Sequence, residues 1–104
     1  MRNKKSRNIE FKVLLEEWTE SERGWGTRED GASIHQDREN HDKYIRSYWA
    51  GMPKTVPNEY SFPGGEPIEI FVDKKTFDEV QKHGSVRLGE GSYLERRKKW
   101  RREV

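Results

Sequence analysis

The sequence predicts a small α+β domain, an antiparallel sheet of three to four strands with two to three helices. Three observations carry that expectation. Ile9, Phe11, Val13 and Leu15 alternate with Glu10, Lys12, Leu14 and Glu16, the period-two pattern of a half-buried strand. Asp37 stands where an N-cap belongs, ahead of a helical stripe formed by Tyr44, Ile45, Tyr48, Trp49 and Met52. The order of strand, cap and helix recurs in Ile68–Val72, Asp73 and Lys74–His83.

In chain order, residues 1–8 read as a flexible basic leader, because Arg2, Lys4, Lys5 and Arg7 sit among polar residues without an apolar pattern. After the first strand, Ser21 to Gly31 crowds Gly24, Gly26 and Gly31 among charges, as a wide loop or hairpin end does, and Ala32 to Gln36 returns as a shorter strand. The first helix runs from Arg38 and is stopped by Gly51 and Pro53. Residues 53–67, with four prolines and two glycines, read as an irregular crossing loop. The second helix turns Phe77 and Val80 inward and is closed by Gly84. Val86 to Leu88 fits an edge strand. Gly89-Glu90-Gly91 then leads into Ser92-Tyr93-Leu94-Glu95, a capping-box pattern opening a basic C-terminal helix over 92–103. The α+β domain is expected to span 9–104.

A chain of 104 residues matches one domain, since domains hold about 100–200 residues. Hydrophobic residues make up 30% and charged ones 38%, so the apolar core must be thin, although twelve aromatics partly offset this. A thin core is readily completed by self-association, and a homo-oligomer is expected. The absence of cysteine excludes disulfides, thiolate metal sites and cysteine nucleophiles, and fits a cytoplasmic location. No apolar run approaches the roughly 20 residues that cross a bilayer, so no membrane partner is expected. The net charge of +2 conceals an uneven distribution: residues 1–8 and 93–104 together carry +8, and the span between them −6. Basic ends on an acidic body can bind polyanions, fold back on the body, or meet the acidic surface of a second copy.

The stretch Arg23-Gly24-Trp25-Gly26-Thr27-Arg28-Glu29-Asp30-Gly31 combines glycines that let backbone amides approach a ligand, an indole for stacking and two arginines for anion contacts. It equally suits a hairpin end in which Trp25 folds over the core and the arginines pair with Glu29 and Asp30. A second turn, Arg87 to Ser92, places Arg87 beside a helix start that can hold phosphate, with Glu90 opposing it; simple capping is the competing role. The run Arg96, Arg97, Lys98, Lys99, Trp100, Arg101 and Arg102 suits nucleic acid, or a solvated helix face with Trp100 docked on the body. His35, Asp37, Glu39 and His41 lack metal-ligand spacing, and no serine lies in a nucleophile elbow. Neither a metal, a cofactor nor catalysis is expected.

The order Gly24-Trp25-Gly26, Arg28, Asp30-Gly31, Ser33 and His35, then Tyr48-Trp49 with Met52-Pro53, then Val56-Pro57, Glu59-Tyr60-Ser61, Pro63 and Gly65, resembles small accessory proteins of tailed phages and their hosts. The resemblance covers about residues 18–72. Some such proteins counter host defence, and those that inhibit Thoeris sequester cyclic ADP-ribose signals at sites rich in arginine and aromatics. It implies Arg23, Trp25, Arg28, His35, Tyr60 and Arg87 as contacts to an anionic nucleotide-like ligand, in a non-enzymatic protein of the bacterial host cytoplasm. Two other readings stand beside it: a nucleic-acid-binding accessory protein using the basic C-terminal helix, and a decoy whose acidic body covers a host protein's basic groove.

Overall fold

The computed structural model describes residues 10–22, 26–53 and 60–102. The fold is α+β, as expected, but its antiparallel sheet is larger, with six strands among the described residues in the order β5-β2-β1-β4-β6 and β3 joined to β1 beyond β4. The strands are β1 (Phe11–Glu22), β2 (Gly26–His35), β3 (Tyr60–Pro63), β4 (Ile68–Val72), β5 (Ser85–Leu88) and β6 (Arg101–Arg102). The helices are α1 (Arg38–Ala50), α2 (Lys74–His83) and α3 (Glu90–Arg96), the last continued by a 3-10 turn at Arg97–Lys99.

Four expectations are corrected. β1 and β2 pair as the expected hairpin, but the glycine-rich stretch is not a wide loop from residue 21, because β1 runs on to Glu22 and β2 starts at Gly26. Its glycines serve the strands: between the pairs Glu17–Ala32 and Thr19–Glu29, Asp30 and Gly31 together face Trp18, a bulge that Gly31 permits with φ of 80°. Part of the crossing loop is β3, which pairs with β1 from Trp18 to Ser21. The terminal helix starts at Glu90 behind Gly89, with no side-chain cap from Ser92. It also ends at Arg96 instead of reaching 103, because Trp100 becomes extended, packs on the core beside Tyr93 and leads Arg101 and Arg102 onto the edge of β4. Burying part of an indole outweighs one more solvated helical turn.

The other elements form where their residues direct. Asp37 accepts from the Asn40 N–H at 2.8 Å at the start of α1, and Asp73 from that of Thr76 at 3.3 Å at the start of α2. Cross-strand partners share a face, so Val13, Leu15, Ala32, Ile34, Ile70, Val72 and Leu88 make one apolar face. Val80 of α2 and Tyr93 of α3 close it, with Phe77 and Trp100 at its margin. The opposite face, under α1, is different in kind: Glu16, Trp18, Ser33, His35 and Arg87 meet His41, Tyr44 and Tyr48.

Candidate functional site

The face under α1 carries a polar chain built from alternate residues of three strands. The Trp18 indole N–H donates to Ser33 Oγ at 2.8 Å; Ser33 Oγ lies 2.7 Å from His35 Nε2, and His35 Nδ1 lies 2.7 Å from Ser85 Oγ. Ser85 Oγ donates to the Asn40 carbonyl at 3.4 Å. The Ser85 hydroxyl proton goes to the Asn40 carbonyl, so the arrangement that satisfies every link has Nδ1–H donating to Ser85 and Ser33 donating to Nε2. Next to His35, the His41 ring stands edge-on at 4.8 Å, with Nε2 2.5 Å from Glu16 Oε1 and Nδ1 2.9 Å from Asp42 Oδ1. Glu16 Oε2 accepts the Gly65 N–H at 2.7 Å, tying the link between β3 and β4 to the same cluster.

Ser85 against His35 has the contact distance of a nucleophile and its base, but the environment opposes that chemistry. Burial, and then the charge of His41, push the His35 pKa down to about 4. A ring held neutral this strongly is a weak base, and the Asp42 carboxylate, which favours an imidazolium, is outweighed by burial and by His41. His35, fully buried with both nitrogens engaged, is a core residue, and its expected role as a ligand contact finds no exposed atom to act through.

The other expected contacts divide. Arg23 and Trp25 lie outside the described residues. Arg28 pairs with Glu20 and, at 3.4 Å, with Glu90. Arg87 pairs with Asp30 at 3.1 Å, donates to the Leu88 carbonyl at 2.6 Å and stacks 4.5 Å from the centre of the Trp18 ring, so it braces the bulge. Asp30 also accepts from Ser61 of β3. Tyr60 sits half-buried on β3 beside Phe62, 5.7 Å between rings. Arg28 and Arg87 thus have separate carboxylate partners, and the charges of both are answered inside the fold.

The basic run is likewise interleaved with acids. Arg97 and Arg102 share Glu17, at 3.7 and 3.5 Å; Arg96 pairs with Glu79 at 3.1 Å, and Lys98 with Glu95 at 3.5 Å. Trp100 is docked with Arg96 above it, and Arg101 lies 4.3 Å from the Phe71 ring centre. Lys99 is exposed at the groove between α2 and α3.

The residues best placed to take a ligand are ones the sequence did not single out. Where α1 passes β5 and the end of α2, Asn40, Lys43, Tyr44, Ser47, His83 and Ser85 line an open cleft of about 440 Å³. No carboxylate lines it, whereas the grooves at α2–α3, at the start of α1 and beside Gly64–Gly65 each include two or more. Lys43 makes no ion pair with the described residues, and burial pushes the Tyr44 hydroxyl pKa up, keeping it a neutral donor. Asn40, Lys43, Tyr44 and Ser47 do recur at helical spacing, a polar stripe legible in the sequence. That His83 and Ser85 would face it is a matter of topology. Compared with protein-family models, with curated proteins and with solved structures, the chain matches none.

Proposed function

We propose that the protein is a non-enzymatic binding module, a phage or mobile-element accessory protein of the bacterial cytoplasm that sequesters an anionic, nucleotide-like ligand as a homo-oligomer. The observation that carries this reading is the acid-free cleft, where one ammonium, one imidazole, two hydroxyls and a tyrosine converge. Phosphate oxygens find donors there, and Tyr44 offers an edge to a base. The reading moves the anion contacts from Arg28 and Arg87, whose charges are answered by carboxylates, to Lys43 and His83. The large apolar side chains left open, Trp49 at 42% and Ile68 at 39% exposure, are available to a second copy.

Isothermal calorimetry with a panel of cyclic and linear nucleotides tests it. At least one ligand should give heat, and Lys43→Ala should weaken it by about tenfold or more, the worth of a charge-assisted hydrogen bond. Arg28→Ala should leave it within about twofold, since surface pairs contribute little. Absence of heat with every ligand, or loss on Arg28→Ala alone, overturns the cleft assignment.

A further inference from the structure

On the sheet face that α1 shields, coverage stops short of β4. α1 lies over β2 and β5, and the β4–β6 side of that face is open: the Lys12 and Glu69 side chains are 50% and 49% exposed, and Arg101 is exposed. Strand register sets Lys12, Phe71 and Arg101 in one row, Lys12 opposite Phe71 and Phe71 opposite Arg101. The Phe71 ring therefore lies between two cations, with Lys12 Nζ 6.0 Å and the Arg101 guanidinium 4.3 Å from its centre. Beside the row an open groove of about 430 Å³ runs to the start of α1, lined by Leu14, Pro67, Gln36 and Arg38, with Glu69 and Asp37 as its carboxylates.

Two features select the partner. A half-open aromatic ring flanked by cations on a flat sheet suits an unpaired base stacked on the ring or its guanidinium, with phosphates beside the cations. Topology also brings the basic C-terminal run here, because β6 lays Arg101 and Arg102 along β4 opposite Phe71 and Ile70. A duplex, with its bases stacked inside, cannot use the ring.

We propose that the Lys12–Phe71–Arg101 row binds single-stranded nucleic acid, a base stacking on the Phe71–Arg101 pair and Lys12 meeting a neighbouring phosphate. Glu69, 3.6 Å from Lys12, limits the affinity. The site is separate from the α1–β5 cleft and does not depend on it. The test is fluorescence anisotropy of the full chain with labelled oligothymidine, oligouridine and a duplex, over a range of salt. Both single strands should bind more tightly than the duplex, the preference between them reporting DNA or RNA. Phe71→Ala should weaken binding about tenfold, as expected for one lost stack. Lys12→Ala should lower the salt slope by about 0.7, and Glu69→Gln should tighten binding. Phe71→Leu, which keeps apolar volume without a ring face, should weaken binding like the alanine variant and guards against a folding artefact. Three results each overturn the proposal: no binding, equal binding of duplex, or indifference to Phe71→Leu, which, with loss on Lys43→Ala, places the strand in the cleft.

Discussion

His35 shows what a single residue's surroundings decide. Its folded pKa of about 4 lies below the ordinary value of 6.5, so between those values the unfolded chain binds a proton that the folded one excludes. Stability is full above pH 6.5 and falls as pH drops toward 4, by about 2–3 kcal/mol for this group. Urea midpoints measured across that window should show the fall, and His35→Gln should flatten it from a lower starting stability; an unchanged slope removes His35 as the cause. Asp42 adds loss at lower pH, since its hydrogen bond from His41 holds its carboxyl below the usual range. The sequence placed His35 on a strand face near Asp37 and His41, but offered no sign that two serines would saturate it, one of them held in turn by the Trp18 indole. Ser33 and Ser85 lie 2 and 50 residues away, and nothing local encodes the second.

Among the elements, the β1–β2 hairpin was legible as a hairpin but not as a pair of long strands. Its outer half is polar on both faces, so period-two alternation of hydrophobicity vanishes there although backbone pairing continues. The glycines that signalled a loop have separate duties. A Cβ at Gly31 meets the Leu88 carbonyl oxygen at 2.1 Å with φ at 80°, whereas one at Gly26, φ 89°, meets nothing within 4 Å. Gly31→Ala should therefore cost about 3 kcal/mol or more and Gly26→Ala about 1 kcal/mol, read from chemical denaturation. Equal costs contradict the account of the bulge. The C-terminal helix failed for a related reason: its capping box and charge pattern are local, while the place where Trp100 docks is set by Tyr93 and the core. The two helices predicted from Asp37 and Asp73 hold because cap and stop agree within one segment, although Trp49 of the stripe expected on the first is 42% exposed and His41 is its buried residue.

Across the whole molecule, Glu17 fastens the C-terminal segment to the sheet. Tyr93 donates to its Oε2 at 2.6 Å, and Arg97 and Arg102 approach the same oxygen. Glu17→Gln should lower global stability by only about 1 kcal/mol, because the pairs are exposed, yet speed tryptic cleavage at Arg97–Arg102 several-fold. Unchanged cleavage shows that Trp100 and the β4 pairing hold the segment without it. The sheet's edges are also guarded: the Tyr48 hydroxyl takes the Ser61 carbonyl, Pro63 brings no N–H to β3, Arg87 covers the Leu88 carbonyl, and β6 carries two arginines. By itself the sequence determined the α+β class, two capped helices and the strands with regular alternation, because those signals are contained within a few residues. Tertiary structure alone decided that Arg28 and Arg87 are neutralised, that His35 is buried, that Arg101 and Arg102 lie on the edge of β4, and that Lys43 and His83 line one acid-free cleft. Each of these depends on which distant segments pair, and strand pairing is fixed by the combined burial of both faces of the sheet.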